Sequence, residues 1–474
     1  MRRTRRHVLA LLGTAFFMTI LDGTSLLSAL PSIEGDLGLR GPAIQWAVTA
    51  YALAFSGLLL PSGRAADVLG RRRVFLAGMA LRVLSSLLCG LAPSLEVLVA
   101  ARALQGVSAA IIAPAALSMV MNAFPEGPER NRALGVWGGL GGFGATAGLL
   151  LGGLITDTLG WQWVFWVNVP IGTTVLLLAP ALLHESRAHT RGFDLAGALA
   201  ITPALVLLVY VLSRVPSDGF DGRLPAAAAV LVALFVTIER RSAAPLLPLR
   251  LLRSRVLVGG NLLLLIAGMS VDGMLITLTS HVQRVLGWSA VQFGLAAAAM
   301  TAASVAVALF SRHVTTWGIR RLAASGTVLL GTACLLLTRF STDYSLGLLL
   351  LALLVFGAGM GTAAVCSQIS ALTGVTQRDS GLAAGLADTS FAIGTALGVA
   401  ICSSVATARA SAIGGPATLA LSSGHRTAFA TAAVFAAAGL VVALTMLGKR
   451  PSRPDSRNPE SRGAGGRPAS ATTP

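Results

Sequence analysis

Charge is scarce in this sequence. Only 12% of the 474 residues are Asp, Glu, Lys or Arg, roughly half the ~25% of a soluble domain, so a water-bathed globular fold is excluded. Lysine is all but absent, with Lys449 alone beside 35 arginines. The four cysteines (Cys89, Cys334, Cys366, Cys402) sit singly inside apolar segments. That excludes a disulfide framework and fits small buried hydrophobes. Six dispersed histidines show no metal-ligand spacing, so no metal site is expected. No G-x4-GK[ST] phosphate loop occurs, which argues against an ATP-driven pump. No nucleophile–base pair stands out, and almost no chain is left over for an extramembrane domain, so an enzyme is not expected.

What the chain has instead is apolar length. It is 54% hydrophobic, and runs of about 18 to 25 apolar residues recur, long enough to cross a ~30 Å hydrocarbon core as helices. The start, MRRTRRHVLALLGTAFF, imitates a signal peptide, but the run continues past Asp22 without a small-residue cleavage site, so it reads as a retained span. Hydropathy and turn-rich breaks such as PEGPERN and VPSDGFDG predict fourteen spans. The expected organisation is a basic N-terminus (1–7), a six-helix bundle (8–183), two additional spans (195–239), a second six-helix bundle (256–447) and a Pro/Ser/Arg-rich disordered tail (448–474).

The net charge of +17 raises the question of nucleic acid. With the N-terminus cytoplasmic, 27 basic residues fall in inner segments and 7 in outer ones, while Arg82 and Arg102 lie within spans. That split is the positive-inside pattern of a chain with both ends in the cytoplasm. The basicity belongs to topology, and no nucleic-acid partner is expected.

The chain also echoes itself. SGRAADVLGRRR after the second span returns as FSRHVTTWGIRR after the tenth, matching Arg64 to Arg312 and Gly70 to Gly318. AIQW (43–46) echoes AVQF (290–293), and Asp22-Gly23 echoes Asp272-Gly273, all at nearly one offset. Two six-span halves with two spans between them give a 6+2+6 layout. Repeated halves flanking a central site suit alternating access.

Several residues are costly enough to demand a reason. Asp22 lies in MTILDGTSLLSALP, inside an apolar run, where insertion scales charge about 2.5–3.5 kcal/mol for Asp. Arg102, in LVAARALQGVSAA, cannot shed its charge and needs an acceptor, for which Asp22 is the candidate. The segment Gly63-x-x-x-Asp67-x-x-Gly70-Arg71-Arg72-Arg73 reads as a tight cytoplasmic turn whose carboxylate suits a helix N-terminus or an Arg across the bundle. Gly135, Gly144, Gly148, Gly152 and Gly153 give the fifth span the small-residue spacing of close helix packing. Arg82 could pair with Asp22, attract an anionic substrate or snorkel. Phe17, Trp46, Tyr51 and Gln105 join Arg82 as candidate cavity residues.

Taken together, GRAADVLGRRR, LVAARALQGVSAA, the glycines of 135–153, LDGTSLLSALP, WQWVFWVNVPIG and GLAAGLADTSFAIGTALG resemble the major facilitator superfamily, and within it the fourteen-span drug:proton antiporters. The chain departs from that pattern at Val68, Leu149, Gln162 and Phe391-Ala392. The resemblance implies an all-α integral membrane fold of two pseudo-symmetric six-helix bundles plus two helices. It implies a monomeric exporter of drug-like or antibiotic molecules in a bacterial plasma membrane, with protons and the lipid bilayer as its other partners. No cofactor is implied, the drive being the proton gradient. Asp22 and Arg102 fall on the proton-coupling motifs. Asp272 and Asp388, both inside spans, are expected as further protonatable or cation-contacting sites. Gly63, Asp67, Gly70, Arg71 and Arg72 form the gating loop. Export of a metabolite such as an amino acid or siderophore is the alternative, and a polytopic receptor is a remoter one.

Overall fold

A computed structural model describes residues 2–38, 44–186, 194–218, 223–242, 245, 251–309, 317–340, 345–413 and 416–447. Among these, all extended regular structure is helical. The first half holds α1 (Arg2–Asp36), α2 (Gln45–Leu69), α3 (Arg71–Gly90), α4 (Leu95–Ala123), α5 (Pro128–Leu159), α6 (Gln162–Trp166) and α7 (Asn168–Leu182). Two further helices follow, α8 (Leu195–Asp218) and α9 (Arg223–Arg241). The second half holds α10 (Arg255–Arg284), α11 (Ala290–Leu309), α12 (Ile319–Leu337), α13 (Leu346–Ala371), α14 (Ser380–Ile413) and α15 (Ala417–Met446).

Counting the stacked pair α6–α7 as one, twelve helices among the described residues are long and apolar enough to cross a membrane. The other two, α8 and α9, are helical, but α8 has a shorter apolar stretch (Ala196–Leu212) and α9 closes on Glu239, Arg240 and Arg241. Residues 2–7, expected as a basic segment ahead of the first span, instead form the opening turns of α1. There Arg5 pairs with Glu129 of α5 at 3.0 Å. The repeat partner Arg312 and the tail 448–474 lie outside the described residues.

Each half has an apolar interior, and that of the first takes in Leu257, Leu372 and Ala384 of the second. Leu12, Met18, Phe75, Met79, Ile112 and Trp137 fill the first, and Met274, Leu278, Phe293, Phe356 and Phe429 the second. Large apolar side chains also point outward, Leu177, Val230 and Val434 among them. On a soluble protein such a belt would be an aggregation hazard, whereas in a bilayer it meets acyl chains. Burial therefore gives little sorting force between helices, and close packing takes over. Gly394 and Gly398 of α14 lie against the backbone of Leu265 and Met269 in α10. Gly357 and Gly361 of α13 do the same against Met300 and Ser304 of α11.

The halves meet along two seams, α5 with α11 and α2 with α14. Helix α8 packs on both α2 and α14, and α9 packs on α8. The inserted pair thus covers one seam from outside. The packing reading is tested at Gly398, where a Cβ would fall 2.5 Å from Met269 Cα. Gly398→Val is expected to cost about 1–3 kcal/mol and to lower the melting temperature in detergent. Gly153→Ala, whose Cβ would meet nothing within 4 Å, is expected to leave it unchanged or raised. Equal shifts in both would contradict close packing as the cause.

Candidate functional site

Asp22 is fully buried, and four side chains from three helices converge on it. Arg102 of α4 donates from Nη1 to Oδ2 at 2.8 Å, and Arg82 Nη2 of α3 stands 3.1 Å from the same oxygen. Asn168 Nδ2 of α7 donates to Oδ1 at 3.1 Å, and Gln105 Nε2 of α4 at 3.4 Å. Arg102 is itself positioned. Arg102 Nε donates to the Ala47 carbonyl at 3.2 Å and Nη1 to Gln105 Oε1 at 2.7 Å, while the guanidinium lies 4.4 Å from the Tyr51 ring centroid. Gln105 also donates to Ser86 Oγ at 3.0 Å. One carboxylate thus faces two guanidiniums, a formal surplus of one positive charge inside the first half.

The glycines of α5 explain how α1 comes to hold Asp22 so close. A Cβ on Gly148 would sit 2.5 Å from the Leu21 carbonyl oxygen, one on Gly152 2.6 Å from that of Ser25, and one on Gly144 3.2 Å from Ile20 Cβ. These residues bracket Asp22 in sequence, so the small face of α5 sets the position of the charged turn. Gly135 is buried further back in the helix, and Gly153 faces open space.

The gating motif does not form a loop. Helix α2 continues to Leu69, so Gly63 and Asp67 are helical and the turn reduces to Gly70, whose φ of 109° favours glycine. Asp67 meets a helix N-terminus, as expected, but its Arg is the neighbouring Arg71 and not one across the bundle. Its Oδ1 accepts from Arg71 Nη2 at 2.6 Å and from the Gly381 N–H at 3.0 Å, and its Oδ2 accepts from the Leu382 N–H at 2.9 Å. A buried carboxylate of one half therefore caps the α14 N-terminus of the other, where the helix dipole favours it. Gly63 makes room for this by lying directly against Gly381. Arg71 also donates to the Gln377 carbonyl and, at 3.2 Å, to Ser186 Oγ. The Arg72 N–H donates to Glu185 Oε1 at 3.3 Å.

In the second half, Asp272 of α10 is partly buried and accepts from Thr395 Oγ1 of α14 at 2.7 Å. Asp388 of α14 is partly buried too. Among the described residues neither has an ion pair.

The cavity candidates scatter. Arg82 and Gln105 are fully buried in the Asp22 cluster, so neither lines an open space. Trp46 stacks on Tyr210 of α8 at 6.3 Å, and Phe17 on Phe143 of α5 at 5.6 Å. Tyr51 lies beneath Arg102. Asn168 and Ser86 were not anticipated as members of the cluster. A polar Asn inside the apolar WQWVFWVNVPIG was the available signal. Two of the dispersed histidines also meet, His281 and His425 approaching Nδ1 to Nδ1 at 3.2 Å.

Comparison with known proteins places this geometry. The model of the Major Facilitator Superfamily matches residues 12–399. The cephamycin export protein CmcT of Amycolatopsis lactamdurans is 39% identical over 449 residues, covering 91% of this chain and 90% of that protein. The puromycin resistance protein pur8 of Streptomyces alboniger is 37% identical, covering 84% and 81%. The multidrug resistance protein Stp of Mycobacterium tuberculosis is 34% identical, covering 87% and 78%. The crystal structure of the human organic anion transporter MFSD10 (TETRAN) superposes with a TM-score of 0.67 over 93% of this chain and 99% of that one, at 18% identity, a likeness of fold.

Two outcomes follow from the geometry. Asp22→Ala leaves two buried guanidiniums without a counter-ion, a loss of about 3–5 kcal/mol. It is expected to reduce the yield of monodisperse protein sharply, and Arg82→Gln much less. Wild-type yield and melting for Asp22→Ala would contradict the ion-pair account. Asp67→Ala strands the Gly381 and Leu382 N–H groups at about 1–3 kcal/mol. Hydrogen exchange should quicken in the first turn of α14 while α10 is unchanged; unchanged exchange in α14 would show that the cap does not hold.

Proposed function

The chain belongs to the Major Facilitator Superfamily, and from that premise we propose that it is a proton-coupled antiporter exporting drug-like or antibiotic small molecules across a bacterial plasma membrane. A transporter, not an enzyme, is what the superfamily and the export-named relatives indicate. The observation that supports the coupling is that carboxylates lie away from the ends of membrane-spanning helices in both halves of the bundle, Asp22 in the first and Asp272 and Asp388 in the second. Carboxylates at such depth are expensive and commonly mark proton or substrate paths. Burial favours the neutral acid and a neighbouring Arg the carboxylate, so a rocking motion that alters either environment can load and release a proton.

In this reading α8 and α9 cross the membrane with the other twelve spans, giving fourteen, and both termini are cytoplasmic as the arginine distribution demands. The Asp67 cap then ties the halves together on the cytoplasmic side and breaks when that side opens. The protein works as a monomer, without a cofactor, on the proton gradient. The names of the relatives support an antibiotic or drug as cargo.

An efflux-deficient bacterial host carrying this gene tests the proposal. It is expected to accumulate several-fold less puromycin, or less of a cephamycin, than the empty host, and a protonophore should erase the difference. Export that survives collapse of the gradient would overturn proton coupling. Gradient-driven efflux of an amino acid or siderophore with no protection against any toxic compound would overturn the drug reading.

A further inference from the structure

The Asp22 side chain points into the first half and not toward the second. Every partner it has comes from α3, α4 or α7. Helix α3, which supplies Arg82, packs on α2, α4, α6 and α7. Both carboxylate oxygens are engaged, Oδ2 by two guanidiniums and Oδ1 by two amide groups. A proton on either oxygen would displace one of these donors and leave two buried cations without their counter-ion.

The second-half carboxylates are placed differently. Gly381, Gly385, Asp388 and Thr395 are spaced by four, three and seven residues, so they share one face of α14. Gly381 and Gly385 of that face abut Gly63 and Leu59 of α2, so the stripe that bears Asp388 runs along the seam between the halves. Two turns on, about 10.5 Å along the helix, Thr395 holds Asp272. The surrounding charges leave both acids uncommitted. Helices α11 and α13 carry no Asp, Glu, Lys or Arg. Helix α10 has Arg255, His281 and Arg284 at its ends, and α15 has His425 and Arg426, with His425 turned to His281. Helix α12 has Arg320 and Arg321 in its first turn. On α2, Arg64 and Asp67 lie in the last turns, Asp67 already bonded, and Tyr51 sits beneath Arg102. On α4, Glu96 lies in the first turn and Arg102 is paired with Asp22. On α8, Tyr210 stacks on Trp46. None of these forms an ion pair with Asp272 or Asp388 among the described residues.

We propose that Asp22 remains a carboxylate throughout the transport cycle, as a positioning residue that fixes α1 against α3, α4 and α7, and that the exchanged proton is carried by Asp388, on the seam-facing stripe of α14, and by Asp272, which Thr395 of the same stripe holds. This assignment rests on the proton-antiport reading and decides which of its three acids moves the proton. The proton is taken from water on the acidic side and returned to water on the other, with no group gained or lost by the chain.

Purified full-length protein treated with N,N′-dicyclohexylcarbodiimide tests it without a substrate. The O–H of a protonated, apolar carboxyl adds across a carbodiimide C=N bond, and acyl migration leaves a stable N-acylurea. Peptide mass spectrometry is expected to find the adduct on Asp388 and Asp272, increasing as pH falls, and not on Asp22. An adduct on Asp22 that grows on acidification, or none on either second-half acid, overturns the assignment. Proteoliposomes loaded with puromycin give an independent reading. Asp272→Asn and Asp388→Asn should keep puromycin–puromycin exchange yet lose acceleration by a pH gradient. Asp22→Asn combined with Arg82→Gln keeps the formal charge of the cluster and should keep that acceleration. A folded double variant that exchanges puromycin but ignores the gradient would overturn the assignment. Should it not fold, the adduct map and the second-half variants decide. Wild-type flux indifferent to the gradient would instead overturn the antiport reading, a failure that the substrate-free adduct map keeps separate.

Discussion

Two guanidiniums and one carboxylate share a site sealed from water, and much of the first half is arranged to make that tolerable. Isolated, any one of these charges would be too costly to bury. Together they still leave one positive charge in excess, and the Gln105 side-chain oxygen, the Ala47 carbonyl and the Tyr51 ring surround Arg102 while Asn168 donates to Asp22. These partners come from α2, α4 and α7, and the small face of α5 presses α1 into place around them. A cluster bound from so many helices behaves as a rigid node. It gives the first half a fixed shape that can rock as a unit.

The seam between the halves follows a different logic. Glycine against glycine, as at Gly63 and Gly381, brings backbones close, and one carboxylate then completes the hydrogen bonding of a helix start. Such contacts are few and local, so they can form and break during a transport cycle while each half keeps its interior. The α8–α9 pair lies on both α2 and α14 and so spans a boundary along which movement would occur.

Much of this was legible in the sequence. Apolar run length marked the twelve helices long enough to cross a membrane, and the rule that a buried Arg needs an acceptor pointed from Arg102 to Asp22, with Arg82 as a further candidate. The glycine spacing in α5 announced close packing, although only the fold shows that Asp22 is what lies beneath it. The Asp67 side chain was expected to find a helix N-terminus or an Arg, but not that of α14, because residues more than three hundred positions apart meet only through the bundle. Gln105 read as a cavity residue because polarity inside a span signals either a ligand or an internal hydrogen bond. Sequence alone does not say which way a helix is turned. Asp22 and Asp272, joined as repeat mates, each lie on the first helix of their half, yet one meets arginines and the other a threonine.

The central claim is that the first-half acid is fixed in charge while the second-half acids are not. Infrared difference spectroscopy of the purified protein between neutral and acidic pH reads this directly, through the carbonyl band of newly protonated carboxyl groups. The account predicts a band that persists in the Asp22→Asn/Arg82→Gln double variant and fades when Asp388 and Asp272 become Asn. A band lost with Asp22 and retained without Asp388 and Asp272 would contradict it.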